Sequence, residues 1–129
     1  MGSSASGLRR ELTFDIISFN FSTSQRWSFL VHHLSSDRVE SMTRNGQAIV
    51  VDVRESSEYR AGHIPRSRHI PLSQLVHRLK EVSKSHTVIV VCQSGSRSAR
   101  ACELLSQAGY TKVFNLSGGM ANWKGPVER

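Results

Sequence analysis

Apolar and polar positions alternate along most of the chain in a pattern that predicts strands followed by helices. Buried parallel strands are short apolar runs rich in β-branched residues, and residues 48–53 and 87–92 fit this description best. Further strands are predicted at residues 29–33, 68–70 and 112–116. Strands that alternate with helices favour an open, mostly parallel sheet with helices on both faces. The predicted fold class is α/β.

The helices are predicted from apolar spacing, from capping residues and from the glycines that follow them. One helix begins after Ser35 or Ser36 and runs to about Arg44, where Asn45-Gly46 ends it. Apolar residues at 72, 75, 76, 79 and 82 form a helical stripe and predict a second helix. Other helices or helical turns are predicted at residues 55–61, 97–108 and 119–123.

Residues 1–26 differ in composition from the rest and are rich in Ser, Thr, Asn and Gly. We expect a flexible or loosely docked N-terminal arm over 1–26, with one semi-apolar stretch at 12–21, and a domain over 27–129. No long apolar segment of a secretory signal follows Arg9-Arg10. Met1-Gly2 with Ser6 matches a myristoylation pattern, but so short a pattern occurs easily by chance, and a flexible tail is the preferred interpretation.

Length and composition exclude several classes of protein. A chain of 129 residues accommodates one ordinary domain. Its strongest apolar run, residues 88–92, is far shorter than the roughly 18 residues of a membrane span. Two cysteines ten positions apart form neither a disulfide scaffold nor a CxxC metal pair. We therefore expect a reducing, cytoplasmic location, no membrane partner and no metal.

The net charge of +7 is unevenly distributed. Residues 1–53 hold five basic and five acidic side chains, whereas residues 54–129 hold twelve basic and five acidic ones. Such an excess concentrates small anions or acidic partners near the second half of the chain. The sequence contains no RNP-type aromatic motif, zinc-finger spacing or single basic helix. A nucleic-acid partner is therefore not expected.

Candidate chemistry centres on Cys92, at the end of the most apolar predicted strand. The next residues, Gln93, Ser94, Gly95, Ser96 and Arg97, lead directly into a predicted helix. Successive amides of such a loop and the positive end of the helix dipole stabilise an anion or a thiolate. A free cysteine is more often a small buried hydrophobe, and Cys102, on an apolar helical stripe, is assigned to the core. The Cys-x4-Arg loop makes Cys92 the candidate nucleophile.

Several motifs, in a fixed order from about residue 27 to 127, give the chain a resemblance to the single-domain rhodanese-like sulfurtransferases. The motifs are Val51-Asp52-Val53-Arg54-Glu55 with Glu58-Tyr59, Gly62-His63-Ile64-Pro65, Cys92-Gln93-Ser94-Gly95-Ser96-Arg97-Ser98, and Leu116-Ser117-Gly118-Gly119-Met120 with Trp123. One departure stands out. The family usually continues its His-Ile-Pro with Gly-Ala, whereas here Arg66-Ser67 follows, which puts the usual donor or acceptor preference in doubt.

The resemblance implies a three-layer rhodanese-like fold and a thiosulfate sulfurtransferase without a cofactor. Cys92 would take a sulfane sulfur from a small anionic donor such as thiosulfate and pass the persulfide sulfur to cyanide, a thiol or a protein thiol. Residues 93–97 would bind the substrate, with Arg97 on the leaving group. Asp52, Glu58 and His63 would support loops, while Arg54, Arg66 and Arg68 would draw anions inward.

Two alternative functions remain. A cysteine–arginine loop also suits phosphatase or arsenate-type chemistry, although the phosphatases that the resemblance brings in carry five residues between Cys and Arg, and this chain carries four. The second alternative is a catalytically silent rhodanese-like module for binding or regulation. Such modules commonly lack the cysteine, and Cys92 is present.

Overall fold

The sheet of the protein has five strands, and the computed structural model describes residues 31–129. The strands are His32–Leu34 (β1), Ala48–Asp52 (β2), Arg68–His69 (β3), Thr87–Val91 (β4) and Val113–Leu116 (β5). The α-helices are Ser36–Arg44 (α1), Ser56–Ala61 (α2) and Ser96–Gln107 (α3). Three 3-10 segments cover Leu72–His77, Leu79–Glu81 and Gly119–Asn122. The predicted alternation of strands and helices is thus confirmed.

The strands lie in the order β1-β5-β4-β2-β3, and every pair within the described residues is parallel. The two most apolar strands, β2 and β4, are neighbours near the centre, as their composition requires. In a parallel sheet all carboxyl ends lie at one edge, so the loops after β2, β4 and β5 meet there.

Side chains of the central strands alternate between two cores, which makes the protein three-layered. Val88 and Val90 of β4 pack in a cluster that includes Leu105 of α3. Ile89 and Val91 point to the opposite face and pack in a cluster with Val39 of α1. A strand places successive side chains on opposite faces, so a continuous apolar run serves both layers. The predicted α/β architecture, with helices on both faces of the sheet, is confirmed.

The predicted helix over residues 72–82 is wrong in type. The chain forms two 3-10 segments there, with bonds from the Arg78 amide to the Leu75 carbonyl at 3.1 Å and from the Val82 amide to the Leu79 carbonyl at 2.9 Å. With three residues per turn, side chains three apart share a face. Leu75 is therefore buried, while Val76, which a 3.6-residue period places on the same stripe, is 54% exposed.

Other predicted boundaries differ from the observed ones by one or two residues. Residues 29–30 of the first predicted strand, the arm over 1–26 and the start of the predicted domain lie outside the described residues. Residues 31–129 form one unit. Within them, no helix is long and apolar enough to cross a membrane.

Candidate active site

The Cys92 sulfur lies inside the turn that joins β4 to α3. Gly95 adopts a φ of +108°, which glycine tolerates, and its amide donates to Cys92 Sγ at 2.9 Å. Two amides of the last 3-10 segment hold the same loop from outside: Met120 donates to the Cys92 carbonyl at 2.8 Å and Ala121 to the Gln93 carbonyl at 3.1 Å. The loop backbone is therefore fixed at both ends of the sulfur site.

The surroundings of Cys92 favour the thiolate. Burial raises the pKa of the thiol, but the Ser98 hydroxyl and the amides of Ser98, Gly95 and Ser94 act against burial, and the pKa is lowered overall. Hydrogen-bond donors directed at a charged group stabilise it, as does the adjacent N-terminus of α3. Cys92 itself is buried, while the side chains of Gln93, Ser94 and Ser96 are exposed. A donor molecule therefore reaches the sulfur from the side of this loop.

A chain of polar side chains continues from the sulfur through the sheet. Ser98 Oγ lies 3.3 Å from Cys92 Sγ and also hydrogen-bonds to Asn115 Oδ1. Asn115, on β5 and 1% exposed, places Nδ2 3.1 Å from His33 Nδ1. Sequence reasoning assigned no role to Ser98 or Asn115. The available signal was an amide side chain in the middle of an otherwise apolar strand, where a buried polar group needs a partner.

Arg97 is engaged by a carboxylate. Its Nη1 and Nη2 each lie 2.8 Å from an oxygen of Glu58, a bidentate ion pair in which both side chains are about two-thirds buried. The Arg97 guanidinium holds the pKa of Glu58 at about 2. Glu58 also accepts the Glu55 amide at 2.9 Å as part of the capping box of α2. The fork expected to face a leaving group thus faces Glu58.

A second ion pair supports the loop from below. Asp52 and Arg54 are both buried, and their two contacts measure 2.8 Å and 3.0 Å. Arg54 also donates to the Gly62 carbonyl at 2.7 Å and to Gln93 Oε1 at 3.3 Å. The pair therefore ties the end of β2 to two loops. It is a buttress, the arrangement expected for Asp52, and the Arg54 charge is neutralised within the fold.

His63 and Arg66, the other predicted site residues, differ in position. His63 stacks on Tyr59 with ring centroids 3.7 Å apart, and its Nδ1 lies 2.8 Å from the Tyr59 carbonyl oxygen, so it fixes the chain after α2. Arg66 is exposed and lines a cavity with Glu40, Ile64 and Trp123 on the α1 face. No residue of the 92–97 loop lines that cavity. The structure therefore gathers residues 52, 54, 58 and 93–97 around Cys92 and leaves Arg66 elsewhere.

Cys102 lies in the core, 2% exposed, among the residues packed against α3. Burial raises the pKa of its thiol to about 12, so it is protonated at neutral pH. Within residues 31–129, no three His, Cys, Asp or Glu side chains gather as a metal site.

The sequence profile of the rhodanese-like domain matches residues 35–126. The chain belongs to the rhodanese-like domain family. This rhodanese-like chain is 33% identical over 95 residues to a protein named Sulfurtransferase from Allochromatium vinosum, covering 73% of this chain and 89% of that relative. It is 42% identical over 82 residues to the uncharacterized protein YqhL of Bacillus subtilis, covering 64% and 65%. It is 38% identical over 79 residues to the putative sulfur carrier protein YrkF of the same organism, covering 61% and 43%. The chain thus spans less than two thirds of the length of YqhL and of YrkF.

Solved structures show the same fold. A rhodanese-related protein from Thermoplasma volcanium is 31% identical with a TM-score of 0.69, covering 75% of this chain and 97% of that one. A rhodanese-like domain protein from Staphylococcus aureus is 28% identical with a TM-score of 0.70, covering 76% and 97%. A Rhodopseudomonas palustris protein titled as a possible tyrosine phosphatase, 23% identical with a TM-score of 0.73 over 81% and 90%, shares the fold alone.

Proposed function

We propose that this chain is a sulfurtransferase that carries a sulfane sulfur on Cys92. The observation that carries the proposal is the ring of donors around Cys92 Sγ, which lowers the pKa of a thiol that burial alone would keep protonated. A thiolate at neutral pH is the form that attacks sulfur. Family membership and the sulfurtransferase named among the relatives support the same chemistry.

The reaction has two displacement steps. The Cys92 thiolate attacks the outer sulfur of a donor such as thiosulfate, the sulfur–sulfur bond of the donor breaks, and sulfite leaves with the bonding electron pair. The product is a Cys92 persulfide anion, which the amides of the 93–97 loop and the N-terminus of α3 stabilise. A thiolate or cyanide acceptor then attacks the outer sulfur and restores the Cys92 thiolate.

The test is intact-mass analysis after incubation with a sulfane donor and again after addition of an acceptor. We expect one added sulfur atom on the wild-type chain, removed by the acceptor, and none on Cys92→Ser. Cys102→Ser is the matched control, since that thiol is buried and protonated, and it should be loaded like wild type. Sulfur retained on Cys92→Ser would contradict the proposal.

The same preparations distinguish the alternatives. Turnover of an aryl phosphate by the wild type, lost in Cys92→Ser, would favour phosphatase chemistry over sulfur transfer. A folded chain that takes up no sulfur and turns over no phosphate ester would be a binding module.

A further inference from the structure

The charges beside the loop do not favour a dianion. Glu58 fills the Arg97 fork with two contacts of 2.8 Å, and Glu55, whose charge also acts on Arg97, stands three residues before it in the same capping box. Arg54 is neutralised by Asp52 at 2.8 Å. Among these five groups, carboxylates outnumber guanidiniums three to two. The excess of basic residues in the second half of the chain is therefore reversed locally at the site.

A small dianion such as thiosulfate has two unfavourable routes to Arg97. It can displace Glu58 and leave that carboxylate without its partner, or it can bind beside the intact pair and meet the repulsion of two carboxylates. Glu58 remains ionised throughout the neutral range, since its pKa is about 2. The remaining donors around the sulfur are uncharged amides and the Ser98 hydroxyl, which a singly charged or neutral group satisfies equally well.

We propose that Glu58 is a specificity-determining residue that holds Arg97 away from small dianions, so that the site prefers organic sulfane donors with at most one negative charge. Such donors are organic persulfides and thiosulfonates. The inference rests on the proposed function. With a thiosulfonate, the Cys92 thiolate attacks the outer sulfur, the sulfur–sulfur bond breaks, and a sulfinate monoanion leaves with the electron pair. The Cys92 persulfide formed is the same as with thiosulfate, and the leaving group carries one charge less.

The experiment compares methanethiosulfonate with thiosulfate as donors, using cyanide as acceptor, and reports the ratio of their kcat/KM values. We expect the wild type to favour methanethiosulfonate. Glu58→Gln should raise kcat/KM for thiosulfate roughly fivefold, with little change for methanethiosulfonate, because a charge next to a partly exposed site is worth about one such factor. Glutamine also serves at the third position of a capping box, so α2 keeps its N-terminus.

Two further variants make the result specific. Glu81→Gln removes a matched bidentate partner, that of Arg78 at 2.7 and 2.9 Å, and should leave the donor ratio at the wild-type value. Glu58→Gln combined with Arg97→Gln should lose the gain, because the released guanidinium is its source.

The outcomes separate the inference from the function it rests on. An unchanged donor ratio in Glu58→Gln, in a protein that still loads sulfur on Cys92, would overturn the role of Glu58 and leave sulfur transfer intact. A wild type that prefers thiosulfate would also overturn the role of Glu58. Failure of both donors to load Cys92 would instead refute the sulfurtransferase itself.

Discussion

The Ser98 hydroxyl has one proton and three acceptors within reach. These are Cys92 Sγ at 3.3 Å, the Gly95 carbonyl at 3.1 Å and Asn115 Oδ1. When Cys92 is a thiol, its proton points to Ser98 Oγ and the hydroxyl serves one of the two oxygens. When Cys92 ionises, the hydroxyl proton turns to the sulfur, where a hydrogen bond to a charged group is worth more than one to a neutral oxygen.

Ser98→Ala should therefore raise the pKa of the Cys92 thiol. The lowered pKa of the wild type means that thiolate persists to lower pH, so the variant should be alkylated about tenfold more slowly by iodoacetamide at neutral pH. The two rates should converge at high pH. The measurement is the pH profile of Cys92 alkylation, with Ser96→Ala, an exposed loop residue, as control. Superimposable profiles for Ser98→Ala and wild type would remove the hydroxyl from the site chemistry.

Arg66 is the one non-glycine residue with positive φ in the described part of the chain, at +65°. Side chains are strained there, by roughly 1–2 kcal/mol, and the resemblance places glycine at this point. Arg66→Gly should raise the free energy of unfolding by about 0.5–1 kcal/mol, part of the strain relief being offset by the entropy that glycine adds to the unfolded chain. Chemical denaturation measures the change. Arg66→Ala removes the same charge without relieving φ, and an equal gain in that variant would show that the strain argument is wrong.

Single residues were predictable where the chemistry is local. Cys92 ends an apolar strand and precedes a small, polar loop, so its position follows from the order of residues. The partners of Arg97 and Ser98 were not predictable in this way. Asn115 reaches Ser98 because β5 pairs with β4 in a register that sets Asn115 beside Val90. A one-residue shift of register would turn Asn115 to the opposite face, and the sequence alone does not fix that register.

The 3-10 segment Gly119–Asn122 holds the Cys92 loop in place. Gly119 has a φ of +65°, and a Cβ at this position would overlap the Cys92 carbonyl oxygen and approach the Gln93 carbonyl oxygen to 2.6 Å. Backbone therefore packs against backbone at this point, with Met120 and Ala121 donating to the same two carbonyls. The glycine pair was predicted only as a turn into the last helix, because the loop it would contact lies 25 residues earlier.

Gly119→Ala should displace this segment from the loop. Gly46→Ala is the matched control, since Gly46 has a similar φ of +74° and nothing within 4 Å of the added methyl group. We expect Gly46→Ala to cost about 1 kcal/mol of unfolding free energy from backbone strain alone. Gly119→Ala should cost at least about twice as much and should also slow Cys92 alkylation. Equal costs, with Cys92 reactivity unchanged in both variants, would contradict the proposed contact.

Elements were predictable in proportion to how continuous their pattern is. The runs at β2 and β4 are apolar on both faces and give their positions directly. The segment at 72–82 has apolar residues compatible with either helical period, and only the exposure of Val76 against the burial of Leu75 decides between them. That difference depends on packing against α3, which no local pattern contains.

The topology of the whole molecule explains why residues distant in the chain form one site. β4 lies between β2 and β5, so the loops that follow these three strands meet at the same edge of the sheet. The loop after β2 supplies the Asp52–Arg54 pair, the loop after β4 supplies Cys92, and the loop after β5 supplies Gly119. The fold class and this convergence follow from the α/β pattern, whereas the ion pair between Arg97 and Glu58 depends on where α2 packs.

The last prediction concerns how much of the chain the site requires. The family match covers residues 35–126, and all of the strands and helices described begin at His32 or later. Removal of residues 1–24 should therefore leave a soluble domain that unfolds cooperatively and loads sulfur on Cys92 at the wild-type rate. Removal of residues 1–11 alone is the control, because it retains the semi-apolar stretch at 12–21, whose phenylalanines and isoleucines could cover an apolar edge. The measurements are thermal unfolding and the rate of sulfur loading. If the shorter deletion behaves like wild type while the longer one is insoluble or inactive, the stretch at 12–21 is part of the folded core.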